Sequence, residues 1–516
     1  MTSVTSKDVA LGVTDRRRLG VPAVAFLIVA ASAPLTVLAG GVTSTFSVTH
    51  VAGVPLSFVL LAVSLAIFAI GYAAMSRFIN NAGAFYAYVA QGIGRPAGVG
   101  ASLVALVAYN MMTIGIYGMF GFQVSTLLEQ KTGLVVPWWV PVLVCIAIVG
   151  VLGVNRVDLS AKVLGVLVGL EFLAVIVFDV AAFANPVEGF SAAPIEPSSL
   201  FVPGVGAVFA FGIAAFMGFE GAAIYGEESK DPRRTIPRAT FLAVAVIGVF
   251  YALSSWALAL AVGVGTIVDP TGITAETAGP PLFFGFVGAQ LGTIWVDIMS
   301  LLFITSLFAS LVSFHNAVAR YGFSLGREGV LPAWFAKVRA RSGSPWAGSV
   351  AQSILSVVVI IGFSIGELGW DPTKGPFPVL TLFTWLTNGG ALGLVLLMVT
   401  VSIAVIGYFR RDTRGVGLGS RLIAPVVSGV ALFVIFVLII VNFDVLLGQT
   451  ETNATTFILP AVVIVPGIVG VFWAYRIRSR RPDVYRQIGH GTDQTQLLGA
   501  DGELGTASTD RPGAAR

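Results

Sequence analysis

Twelve stretches of this chain are each apolar for about the length of a bilayer-crossing helix, and that limits the fold more than any other feature. A helix rising 1.5 Å per residue needs roughly 20 apolar residues to cross the hydrocarbon layer. By that measure the segments are 21–48, 54–75, 97–128, 138–154, 159–183, 200–224, 239–262, 288–317, 347–365, 380–408, 422–446 and 457–475. With 56% hydrophobic and 11% charged residues among 516, the bilayer is the main solvent for this chain. The spacing predicts an all-α polytopic membrane protein of 12 transmembrane helices. The run that follows the polar first twenty residues is too long for a signal-peptide core, so an uncleaved first span is expected. Cys145 is the sole cysteine, which rules out an intrachain disulfide and reads as a small buried apolar residue.

The connecting loops divide by charge. One set carries Arg16, Arg17, Arg18, Arg77, Arg95, Arg156, Lys162, Lys230, Arg233, Arg234 and Arg238. Arg320, Arg327, Lys337, Arg410, Arg411, Arg414 and Arg421 fall on that side too, with the arginines that follow Tyr475. The opposite set holds only Lys131 and Lys374, beside Glu188, Glu196, Asp269 and Glu276. Basic loops stay in the cytoplasm, so both termini are expected there, at a cell membrane, and an even number of crossings follows. The organisation expected is a cytoplasmic tail at 1–20, five helices over 21–184 and five more over 200–408. Two accessory helices over 422–475 and a disordered cytoplasmic tail at 481–516 complete it.

Two segments are flawed as membrane helices, and they open the two groups of five. In the first, Pro34 sits within Ser32-Ala33-Pro34-Leu35-Thr36 and cannot donate to residue 30. A half-helix starting near Thr36 would turn its positive end and free amides to a cavity, an arrangement suited to a carboxylate. In the sixth, Ala214-Ala215-Phe216-Met217-Gly218-Phe219-Glu220-Gly221 sets an acid between two glycines. If the helix unwinds at Gly218, the carbonyls of Ala214, Ala215 and Met217 are exposed and suit an ammonium group. Phe216 and Phe219 either close the cavity, stack on the substrate or face lipid. Interruptions at matching positions of two halves point to an inverted repeat of five plus five with the substrate between them, since a unit of five inverts its copy.

Charged groups at depth are costly and mark function. Glu171, within VLGVLVGLEFLAVIVF, has no Lys or Arg in its own helix and is a candidate proton carrier. Glu220 is either a proton-sensing acid or a structural acceptor for unwound backbone. Asp179 and Asp297 are weaker candidates, and His315 reads better as a hydrogen-bonded structural histidine than as a relay. Glu227 and Glu228 lie near the interface, where a solvated or paired face is expected. Three histidines and one cysteine make no metal site, and neither a phosphate-binding glycine loop nor a nucleophile elbow is present. Neither an enzyme nor a cofactor is expected, and no nucleic-acid partner. A receptor or channel lacks its own signs, a large outer domain or a pore-lining charged ring.

The stretch AAFMGFEGAAIYGEESKDPRRTIPRA, residues 214–239, resembles the motif that follows the sixth span in the amino acid–polyamine–organocation (APC) permeases. GAFYAYVAQGIGRPAG and NAVARYGFSLGREGVLPAWFAKVRARSGSPWAG are similar to two further stretches of that family, and the likeness runs over about 21–475. The resemblance implies a LeuT-type fold with broken helices 1 and 6, alternating access, and uptake or exchange of amino acids or amines. It puts amine-binding carbonyls on Ala214, Ala215 and Met217 and the family's acid on Glu220. The chain departs from the family at Ser32–Thr36, which replace a glycine-rich carboxylate motif. It departs again at Glu171, which stands near a lysine of some proton-coupled relatives. The expected activity is a proton-coupled importer of an amino acid, with an exchanger or carrier of amines or polyamines as the alternative.

Overall fold

The computed structural model describes residues 20–79, 85–155, 161–220, 229, 231–339, 343–449 and 453–489. Among these every regular element is a helix. The first apolar segment forms α1, Val21–Ala31, then breaks, and resumes in a π-helical turn at Thr36–Val42 that runs into α2, Thr43–Thr49. There follow α3 (Val54–Ser76), the short α4 (Phe85–Gly92), α5 (Arg95–Thr132), α6 (Trp139–Asn155) and α7 (Ala161–Ala184). The sixth segment gives only α8, Val205–Phe216, before its own break. Beyond it lie α9 (Pro232–Val262), α10 (Pro280–Gln290), α11 (Thr293–Arg327) and α12 (Trp346–Gly366). A second π turn at Pro378–Phe383 leads into α13, Thr384–Arg411, and α14 (Ala424–Val441), α15 (Ala454–Arg480) and α16 (Pro482–Gln487) close the order.

Nine of the described helices are long and apolar enough to cross a bilayer, by length and composition. The other expected crossings are the shorter apolar α6 and the two segments that come in pieces. The long α5 packs along α11, α13 and α15, while α9 packs along α1 and α3. The broken segments lie between these groups, with α8 against α3, α13 and α14. Close approach depends on missing side chains in places: a methyl on Gly470 would come within 2.8 Å of the Gly100 backbone, so α5 and α15 meet backbone to backbone.

The outer face is apolar. Val358 on α12, Val441 on α14 and Phe472 on α15 are 61%, 68% and 70% exposed. An outward band of that kind is unfavourable in water and is what lipid covers. The chain is thus a multi-pass membrane protein. Cys145 is buried on α6.

The expected disordered tail at 481–516 needs correcting at its start. Pro482–Gln487 is helical, Ile488 is buried, and the Gly489 amide donates to Glu328 Oε2 at 3.0 Å while its carbonyl accepts from Gln91 at 2.9 Å. Ile488 is an apolar residue in a polar stretch, and the hydrophobic core takes it up. The rest of that tail, the 1–20 tail up to residue 19, and Glu227, Glu228 and Gly221 lie outside the described residues.

Candidate functional site

The first break forms at Ser32-Ala33. Ala33 takes a left-handed backbone, φ 48°, and Pro34 then begins the second half-helix. A proline held inside a continuous helix costs about 3 kcal/mol, whereas an L-residue in the left-handed region costs about 1–2 kcal/mol. The chain adopts the cheaper fault. Ser32 and Tyr251 of α9 hold it: the Tyr251 hydroxyl donates to the Ser32 carbonyl at 3.1 Å and meets the Ser32 hydroxyl at 2.9 Å.

Glu171 comes to this break from α7. Its Oε2 accepts from Ser306 of α11 at 2.7 Å and lies 3.5 Å from the Leu35 amide. The Ser306 hydroxyl also meets that of Thr36 at 2.9 Å. Glu171 is 2% exposed. The serine contact is a full hydrogen bond; the amide contact is at the outer limit of one, so the start of the second half-helix is only loosely capped.

At the second break α8 ends at Phe216, Met217 is extended, and Gly218 has φ 111°, a backbone closed to side chains other than hydrogen. Glu220 turns back: its Oε2 accepts from the Gly218 amide at 2.9 Å, and its Oε1 from the Tyr109 hydroxyl of α5. The Tyr72 hydroxyl donates to the Glu220 carbonyl at 3.2 Å. These bonds occupy the acid and pair the Gly218 amide and the Glu220 carbonyl.

Both breaks open on one cavity. Its wall includes Ser32, Ala33 and Thr36 from the first and Ala214, Ala215 and Met217 from the second. The π turns at Thr36–Val42 and Pro378–Phe383 reach it as well, through Val37 and Phe383. A π turn displaces a helix's residues from their usual faces and is common at functional sites. Of the three carbonyls expected to be free, that of Ala214 already accepts the Met217 amide at 3.2 Å, keeping its second lone pair.

Other expected residues are placed elsewhere. Phe216 and Phe219 neither line the cavity nor face lipid; both are 1% exposed and pack against Phe58 and Phe68 of α3. The cavity side of the break is left to the small Ala214 and Ala215. Asp297 is not at depth. It begins α11 near the loop that ends α5, and pairs with Lys131 at 2.6 Å with both side chains about half exposed. Asp179 accepts from Ser254 at 2.7 Å, and His315 meets Ser349 at 2.6 Å. The residues that sequence reasoning missed are Tyr251, Ser306, Tyr109 and Tyr72. Each is a hydroxyl on an apolar helix, a mild signal that leaves its partner unnamed.

The sequence model of the family described as amino acid permease matches residues 19–469. An uncharacterized transporter of Rhizobium meliloti is 26% identical over 300 residues, 56% of this chain and 61% of that protein. The low-affinity putrescine importer PlaP of Escherichia coli is 24% identical over 364 residues, 69% of this chain and 73% of its own length. L-asparagine permease 1 of Mycobacterium tuberculosis is 25% identical over 440 residues, 80% of each chain. The chain spans about three fifths of the Rhizobium relative. A membrane protein with two interrupted helices around one cavity, and a family match along nearly its whole length, this chain belongs to the amino acid permeases of the APC family.

Proposed function

We propose that the chain is a secondary active permease that carries an amino acid across the cell membrane by alternating access, with a proton in symport through Glu171. The nine long helices, α6 and the two interrupted segments supply twelve crossings in this reading. Five plus five form the inverted repeat, two are accessory, and the loop charges keep both termini cytoplasmic.

The observation that carries the mechanism is Glu171 beside the Leu35 amide. A substrate carboxylate docked on that helix start would stand next to the acid. Two carboxylates about 4 Å apart repel by on the order of 4 kcal/mol at an effective dielectric near 20, roughly a thousandfold in affinity. A proton on Glu171 removes the repulsion, so substrate and proton bind together. The substrate ammonium meets the carbonyl end of α8, at Ala215 and Met217. Glu220, held by Tyr109 and Gly218, supports the break in this scheme and stays out of the proton path.

A carrier of amines is the second reading, and the same contact favours it: an ionised Glu171 could hold an ammonium, and one relative is named a putrescine importer. Purified protein in liposomes separates the two. Uptake of labelled amino acids that rises with an inward proton gradient, and drives protons inward without one, supports symport. Uptake of amines alone, or proton movement opposite to substrate, overturns it.

A further inference from the structure

Beyond the residues of the two breaks, the rest of the cavity wall is one-sided in its chemistry. No residue in the cavity wall, among those described, carries an ionisable side chain. Val37, Met112, Ile116, Phe211 and Phe383 are among its apolar residues. Two threonines stand among them, and each gives its hydroxyl proton to its own helix. Thr45 donates to the Gly41 carbonyl at 2.8 Å and Thr387 to the Phe383 carbonyl at 2.7 Å, each one turn back on its own helix. Ser310 also lines the cavity, one turn beyond Ser306 on α11. One hydroxyl serves a neutral polar group and cannot balance a buried charge.

Resting on the permease reading above, we infer that this part of the cavity is a side-chain subsite that selects amino acids with uncharged, apolar side groups and rejects those with a second charge. The relatives named for asparagine and putrescine do not set the specificity of this chain. What discriminates is desolvation. An ammonium at the tip of a side chain would lose its water with no carboxylate to replace it, whereas a hydrocarbon tip gains from the same transfer.

The test is competition for uptake in proteoliposomes of the full chain. Alanine, 2-aminobutyrate, norvaline and norleucine lengthen by one methylene each, and inhibition should strengthen by about fourfold per step until the cavity is filled. Norleucine and lysine differ by a terminal ammonium at nearly equal length, and norleucine should inhibit at least about a hundredfold better. Replacing Met112→Glu should narrow or reverse that ratio. Lysine, asparagine or putrescine inhibiting as well as norleucine would overturn the selectivity while leaving the permease reading intact. Uptake of no amino acid or amine at all would remove both. The wild-type series decides the matter even if the variant fails to insert.

Discussion

The two interruptions have the same elements, an opened backbone and an acid, and differ in how tightly the two are joined. At the second, Glu220 reaches back two residues to the Gly218 amide at 2.9 Å and is clamped by Tyr109. At the first, Glu171 arrives from 136 residues away and lies 3.5 Å from the Leu35 amide. The second acid is built into its break, and a ligand could take its place only by undoing the fold. The first merely leans on its break and leaves the amide able to accept another partner. A local acid thus serves structure; a remote one can be shared with a substrate.

The comparison can be broken in several ways, the harshest first. Gly218→Val forces a β-branched residue into φ 111° and should lower transport by at least about a hundredfold, since displaced groups at a break lose their geometry. Wild-type uptake by that variant would mean the turn is dispensable. Glu220→Gln should cost stability, about 1–3 kcal/mol from a buried acceptor that no longer suits both donors. A clear fall in detergent melting temperature is the expected reading, and an unchanged one would put Glu220 on the functional side with Glu171.

Glu171→Gln should leave folding and substrate binding within a few-fold of normal. The dependence of uptake on external pH, compared at about pH 5.5 and about pH 7.5, should flatten. A persistent pH response would take Glu171 out of the coupling.

The smallest effect is expected outside the membrane. Slight burial works against ionisation of Glu188, but the amides of Gly265 and Thr266 and the Thr266 hydroxyl outweigh it and hold the carboxyl below its usual range. A depressed folded value means its contribution is complete above the ordinary carboxylate value of 4.5 and fades as pH falls through the folded one. Glu188→Gln should therefore make acid unfolding slightly less steep, with transport untouched. The contact is largely exposed, so solvent keeps the change small.

Much of this was legible in the chain. Pro34 and Gly218 announce the interruptions because each breaks a helix by its own covalent structure, whatever surrounds it. Apolar length marks the crossings for the same reason. What stayed hidden depends on partners distant in sequence. Nothing near Glu171 says that Ser306 will bond it, and nothing near Asp297 says that Lys131 waits at the end of another helix. Ala33 was unreadable in a different way: its left-handed backbone is imposed by the flanking half-helices and not by any preference of alanine.

Cys145, the sole thiol, lies 2% exposed inside the helix bundle. The natural protein therefore behaves as a nearly silent background for maleimide labelling. A cysteine placed along the cavity wall would be the one accessible reporter, and its reactivity from each side of a vesicle would show which mouth is open at a given moment.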